Sequence, residues 1–406
     1  MENEYPKIRN VEPIPIQFEG QRYIGLRDPH NLNDKGEMVV MTPQAFSLVT
    51  LFNGRNSITE IQATLTRMSG GAIFPREVLT QMVQTLKDNL MLEDSHFREA
   101  IQKYRALGVR NSILEGKSYP EDRESLEKMI DEILADSPIV PANKVKAYIA
   151  PHIDIHRAKS CYARVYNAVK SAPFPKIYVV FGTAHHADPG MRFIGTEKSY
   201  QTPYGILPTH SGFIERLKAK CPSSFFENDY IHKGEHSIEF QVLFLQHLFQ
   251  KDPEISVVPI LIGSFQDFIE SGKSPSEESE IEETWAALRE TAKEIGNERI
   301  CWAAGVDLCH VGLRFGDQTP PDPSYLEQVR EHDMKCLDQI SRCDAEGFFS
   351  TISSTQNRYS VCGVSPIYAL LKVIQGTPYT GQLLDYDQSF EQETGSAVTF
   401  AGMIFY

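Results

Sequence analysis

Three apolar runs in this sequence each stop at a histidine-bearing segment. Residues 147–150 pass through Pro151 into His152, Asp154 and His156; residues 176–182 lead into Thr183, Ala184, His185 and His186; residues 300–306 lead into Asp307, Leu308, Cys309 and His310. Runs of this kind predict strands buried on both faces. In open α/β sheets, function collects just past the carboxyl ends of such strands. A neutral imidazole is a good ligand for Fe(II), Zn(II) or copper. The expectation is therefore one metal site, drawing on His152, on His185 or His186, and on His310. Asp307 is placed to orient an imidazole from behind. Cys362 lies in a Cys-Gly turn ahead of a helix, where backbone N–H groups favour a thiolate. His232 and His236 are four apart, a metal-binding spacing on a helix, but Gly234 between them argues against a continuous helix. His30, His96, His210, His247 and His332 read as ordinary core or surface histidines.

The elements that must hold these groups alternate. A helix over 158–169 separates the first two strands, which favours a parallel pair with a right-handed crossover. Further strands are predicted over 255–263 and 299–306, with helices over 211–218, 285–295, 324–341 and 344–353. Glu235, His236 and Ser237 open an apolar helix, and Pro366 starts another. The Ser- and Glu-rich stretch 268–282 has the composition of a surface loop. Residues 380–386 and 396–406 read as closing strands. The whole is an α/β fold, a mixed, mainly parallel sheet with helices on both faces.

The first hundred residues differ. Residues 14–28 and 35–41 read as strands. Thr42-Pro43 predicts a capped helix start, and Ser57-Ile58-Thr59-Glu60 is a capping-box pattern. A third helix follows Pro75, residues 90–92 read as a short strand, and residues 95–106 as a connecting helix. The boundaries drawn are a small α+β domain over 1–94, a linker helix over 95–106 and the main domain over 107–406.

Composition bounds the function. The chain has 406 residues, 41% hydrophobic and 10% aromatic, and a formal net charge of −14, which is the profile of a globular protein. The negative charge argues against a nucleic-acid backbone as partner. No apolar run approaches the roughly 20 residues needed to span a bilayer, and the acidic start lacks a signal core; no membrane partner and a cytoplasmic location are expected. Seven cysteines without a C-x-x-C pair suggest free thiols.

Two resemblances sharpen the reading. Residues 51–61 (LFNGRNSITEI) and the helix after Pro75 resemble PqqD-like winged-helix modules, which implies docking of a peptide or protein. The main domain resembles the Memo family, including protein B of AmmeMemoRadiSam systems, in seven segments that occur in the family's order: Ala150-Pro151-His152, Gly182-Thr183-Ala184-His185-His186, Thr202-Pro203-Tyr204-Gly205, Glu235-His236-Ser237-Ile238-Glu239, Asp307-Leu308-Cys309-His310, Val361-Cys362-Gly363 and residues 396–402. The resemblance implies a fold similar to class III extradiol dioxygenases. It also implies His152, His186 and Cys362 as metal-site residues, with His310 and Asp307 as catalytic neighbours. Asp154, His185, Glu235 and His236 are then pocket or supporting residues. The likeness to the dioxygenases implies Fe(II) as the expected metal; a thiol where those enzymes use a carboxylate implies a softer preference, with copper next and zinc after it. The functional expectation is a metal-binding protein acting as a non-haem iron oxidoreductase, with radical-SAM and AMMECR-type proteins as partners. The alternatives are a non-catalytic metal- and peptide-binding scaffold and a zinc-dependent hydrolase.

Overall fold

A computed structural model describes residues 4–33, 36–137, 145–171, 175–250 and 252–406. The chain divides into two compact units, Met1–Leu107 and Gly108–Tyr406. The first holds an antiparallel sheet of β1 (Glu12–Phe18), β2 (Gln21–Arg27) and β3 (Val39–Met41). Residue 35, within the strand expected over 35–41, lies outside the described residues. Four helices follow: Pro43–Val49, Ile58–Met68, Arg76–Asp88 and Ser95–Arg105. Thr42 accepts a hydrogen bond from the Ala45 N–H, and Ser57 and Glu60 form the full capping box. Each satisfies N–H groups that a helix start leaves unpaired. Phe52, Ile61, Leu79, Leu86 and Met91 are buried together. Leu92 makes an isolated bridge to Ile8, so residues 90–92 do not extend into a strand. The helix read as a connector lies within this first unit.

The second unit is built on one mixed sheet. Its parallel centre is β5 (Ala147–Ala150), β11 (Ile300–Gly305), β6 (Ile177–Thr183) and β10 (Ser256–Ile262), adjacent in that order. β7 (Phe193–Gly195) closes one edge antiparallel to β10. On the other side lies β14 (Ser396–Phe405), antiparallel to β5 at one end and to β12 (His310–Gly312) at the other, with β13 (Gly381–Glu391) along its whole length. A separate small sheet joins β4 (Val109–Arg110), β8 (Ser199–Thr202) and β9 (Gly205–Leu207).

The central strands are buried on both faces, as their unbroken apolar sequences predict. Val179, Phe181 and Ala304 share a core with the helix Val364–Val373. On the opposite face Tyr148 meets Tyr166 edge-on at 5.8 Å and Tyr178 stacks on Phe249 at 5.8 Å, the partners coming from the helices Lys159–Ser171 and Glu239–Phe249. This is the mixed, mainly parallel sheet with helices on both faces that the alternation of elements predicts. The stretch 268–282 differs from its loop reading. It holds the end of the helix Gln266–Ser271 and the start of the helix Ser279–Ile295. Phe268, Ile269 and Ile281 are buried, and these few apolar contacts outweigh the polar composition. No helix of the described residues is long and apolar enough to cross a membrane.

A buried ion pair ties the first unit together. The Arg9 guanidinium meets the Asp28 carboxylate, which also accepts backbone N–H bonds from His30, Leu32 and Asn33 at 3.0, 2.7 and 3.1 Å. Burial raises the Asp28 carboxyl, but Arg9 and these N–H groups outweigh it and hold the group below its ordinary value. A depressed folded-state value means that the stabilisation is fully present above the unfolded value and is lost as pH falls through the folded one. We expect Asp28→Asn to destabilise this unit by about 3–5 kcal/mol at neutral pH. Hydrogen exchange across the unit should show that difference full above about pH 4 and closing in stronger acid.

Candidate metal centre

Three neighbouring parallel strands end on the same side of the sheet, and each delivers part of the site. β5 leads to His152, β6 to His185 and β11 to Asp307. Cys362 comes from the turn before the helix Val364–Val373, with its N–H bonded to the Leu308 carbonyl at 3.3 Å. One ligand atom each of His152, His185 and Cys362 can be chosen so that all lie within 4.8 Å of one another. The Cys362 Sγ is 3.5 Å from His152 Nε2.

Both imidazoles are held from behind. The His152 Nδ1–H donates to the Gly305 carbonyl at 3.0 Å. A carbonyl can only accept, so Nδ1 carries the hydrogen and the Nε2 lone pair faces Cys362. The His185 Nδ1–H donates to the Glu235 carboxylate at 3.0 Å, and the His185 backbone N–H donates to the same group at 3.0 Å. Carboxylate or carbonyl partners of this type fix the tautomer and ring orientation of metal-binding histidines. Burial, and then the neighbouring His185, lower the His152 value to about 3, so its ring stays neutral. Burial works against a charge on His185 too, but Glu235 outweighs it and raises that ring well above its ordinary value; a cation beside His185 competes with that proton.

Glu235 is the hub of the second layer. Besides His185 it accepts the backbone N–H groups of His236 at 2.8 Å and Ser237 at 3.0 Å. The His236 ring stacks on His185 at 5.2 Å and meets His152 edge-on at 5.2 Å. Burial lowers His236 to about 4. His185, Glu235 and His236 form a second group with ligand atoms within 4.8 Å, sharing His185 with the first.

Asp307 supports this arrangement through the backbone. Its Oδ1 accepts the His152 and Ile153 N–H groups at 3.0 and 3.1 Å, and its Oδ2 lies 3.5 Å from His152 Nε2. Burial pushes its carboxyl up. His310, at the start of β12, donates Nδ1–H to the Leu308 carbonyl at 3.0 Å, and burial lowers it to about 4. Among the described residues, neither Asp307 nor His310 belongs to a ligand cluster. A cavity of about 190 Å³ opens beside the centre, lined by His185, Cys362, Ser264, Gln266, Asn357 and Ser365 among others. Two imidazole nitrogens and a thiol, with a small cavity on one side, can hold a transition metal and leave positions open.

Residues 110–404 match the family model described as Memo-like protein. The chain belongs to the Memo-like family. Relatives bearing the name MEMO1 family protein include one from Aquifex aeolicus, 28% identical over 408 residues, covering 99% of this chain and all of the relative. Another from Thermus thermophilus is 24% identical across 81% of this chain and 93% of its own. A third, from Thermococcus kodakarensis, is 26% identical across 73% of this chain and 99% of its own. The Aquifex similarity therefore runs through the N-terminal unit as well as the Memo-like domain.

In this Memo-like chain the structure places His185, not His186, in the cluster. Glu235 takes both the backbone and the ring N–H of His185 and turns that ring inward. His186 follows in the same turn with its ring 6.4 Å from that of His185. Asp154 is also away from the cluster: its Oδ1 accepts the His156 N–H at 2.9 Å and caps the turn Ile155–Arg157. His156 is exposed. His232 is fully buried and structural, with Nε2–H donating to the Ile194 carbonyl at 2.8 Å and Nδ1 accepting from Tyr200 at 2.8 Å.

Two supports escaped the sequence reading. Arg110 and Glu239 form an ion pair with both side chains fully buried. Arg110 donates to the carbonyls of His232 and Glu235, while Glu239 accepts from Tyr119 at 2.6 Å and from the Ile113 and Leu114 N–H groups. Gly182 and Gly305 are register partners on β6 and β11. A Cβ on Gly182 would lie 2.5 Å from the Ser237 hydroxyl, and one on Gly305 would lie 2.3 Å from the Ser237 carbonyl. The segment carrying Glu235 rests on these two glycines. The Gly-Thr and Gly-Val dipeptides at the strand ends were the available signal. We expect Glu239→Ala to cost about 3–5 kcal/mol, since it strands a buried guanidinium, and Gly305→Ala about 1–3 kcal/mol through overpacking. Urea unfolding measures both.

Proposed function

We propose that the Memo-like unit binds a redox-active transition metal, Fe(II) first and copper second, through His152, His185 and Cys362, and acts as a non-haem oxidoreductase on a small molecule. The observation that carries this reading is the convergence of two oriented imidazole nitrogens and a thiol beside a cavity. The donor set fits: imidazole suits iron and copper, and the thiolate moves the preference toward softer ions. When bound, the ion supplies redox change and open coordination positions. The chain's residues do the rest. Glu235 and the Gly305 carbonyl hold the ligand rings, Asp307 fixes the His152 backbone, and Ser264, Gln266, Asn357 and Ser365 offer neutral polar contacts to a substrate. His310 keeps Nε2 without a proton when neutral and can accept one from a group that reaches it.

A hydrolytic role needs a carboxylate free to take a proton from water. The Glu235 oxygens are engaged by His185, His236 and Ser237, and Asp307 Oδ1 is engaged by two backbone N–H groups. This argues against Glu235 as the base of a hydrolase.

Metal analysis of protein purified without added metal tests the reading. Iron or copper is expected, lost in His152→Ala and Cys362→Ser, retained in His186→Ala, and bound about 10–100-fold more weakly in Glu235→Gln. Metal uptake unaltered in the first two variants sinks the assignment. Oxygen consumption by the Fe(II)-loaded protein with catechols separates enzyme from scaffold; a metal-loaded protein without turnover supports the scaffold.

A further inference from the structure

A second cluster of ligating side chains lies behind His310 and takes no part in the proposed metal centre. The helix Pro323–Ser341 carries His332, Asp333 and Cys336, and the segment entering β12 carries Cys309. All four are buried. The Cys309 Sγ is 3.0 Å from Asp333 Oδ1 and 3.8 Å from His332 Nδ1, and the Cys336 Sγ is 4.0 Å from that same nitrogen. Ligand atoms of Cys309, His332 and Asp333 lie within 4.8 Å of one another.

We propose that Cys309, His332 and Asp333 form a structural Zn(II) site, with Cys336, which lies outside that group and one helical turn from His332, turning in as the fourth ligand. With Zn–S near 2.3 Å and Zn–N near 2.0–2.1 Å, a tetrahedral centre has S···N edges of about 3.5 Å; the Cys309–His332 edge needs to shorten by only a few tenths of an ångström, and the Cys336 side chain must turn toward the other three donors. A soft, closed set of two thiolates, one imidazole and one carboxylate suits zinc. The second independent observation is His332 itself. Its Nδ1 is shared by the two thiols, 3.8 Å from Cys309 Sγ and 4.0 Å from Cys336 Sγ, so one ring nitrogen brings both sulfurs to the carboxylate of Asp333.

The protonation balance is simple. Without metal, burial keeps both thiols protonated, and Cys309 donates S–H to Asp333. Zinc displaces the two thiol protons to solvent and takes the Asp333 Oδ1 that the Cys309 thiol occupied. Tyr386 continues to donate to Oδ2, at 2.9 Å. The ion then pins the residue preceding His310 to the long helix. It is separate from the ligands His152, His185 and Cys362.

The test uses the full chain carrying Cys362→Ser, which removes the thiol of the first centre. The expected result is one zinc per chain and, after exchange into Co(II), sulfur-to-cobalt charge-transfer absorption. Adding Cys336→Ser should remove both the zinc and the absorption, and His332→Gln in the same background should remove the zinc. The proposal is overturned if the Cys362→Ser protein holds no zinc and shows no thiolate–cobalt absorption, a result that does not depend on any change in the second cluster. It is equally overturned if zinc and absorption persist when Cys309 and Cys336 are both serine. Because the first centre's metal is read by loss in His152→Ala, either site can fail without the other.

Discussion

The Arg110–Glu239 pair is the constraint on which the centre depends. Both side chains are fully buried, and an ion pair in such surroundings is tolerable only when its remaining hydrogen-bonding capacity is used. Here it is used on backbone. Arg110 holds the carbonyls of His232 and Glu235, and Glu239 holds the N–H groups of Ile113 and Leu114. The pair therefore fixes the path of the chain that presents Glu235, and Glu235 in turn fixes His185 and His236. The ion pair thus sets the placement of the His185 and His236 rings, through three successive hydrogen bonds.

The sheet supplies the complementary rigidity. β5, β11 and β6 are adjacent and parallel, so the groups beyond their carboxyl ends emerge on one side. Each of the two imidazoles is then oriented by an acceptor from a different element: His152 by the end of β11 and His185 by the loop carrying Glu235. Preorganisation of this kind lets an ion bind with little rearrangement of the residues around it. Asp307 illustrates the division of labour. It sits among the ligands, yet its Oδ1 is spent on the backbone of the His152 segment, so it acts as a brace.

Much of this was legible in the sequence. Apolar runs ending in histidines located β5, β6 and β11, and the seven Memo-like segments pointed to the family and to Cys362. Choosing between His185 and His186 was beyond pattern, because the choice is made by Glu235, fifty positions away. Asp154 looked available as a ligand, but a local turn claimed its oxygen. Arg110 gave no signal, since a single arginine in a short strand looks like any surface residue until Glu239 is seen opposite it. His332 and Cys336 stand one helical turn apart, and that spacing acquires chemical meaning only when Cys309 arrives from elsewhere. The loop reading of 268–282 failed because buried Phe268, Ile269 and Ile281, not average polarity, decided the packing.

β14 gives the molecule a temporal property. It is late in the chain, yet it lies between strands made earlier: one edge is shared by β5 and β12, and the other is covered by β13. Its Thr399 carbonyl also receives the Leu308 N–H, directly before the segment that carries His310. During synthesis, His152 and His185 leave the ribosome long before this strand exists, and long-range pairings of this kind are slow to form. The full setting of the centre is therefore completed only once β14 has been made. Until then the nascent chain carries His152 and His185 without the strand that braces the segment leading to His310.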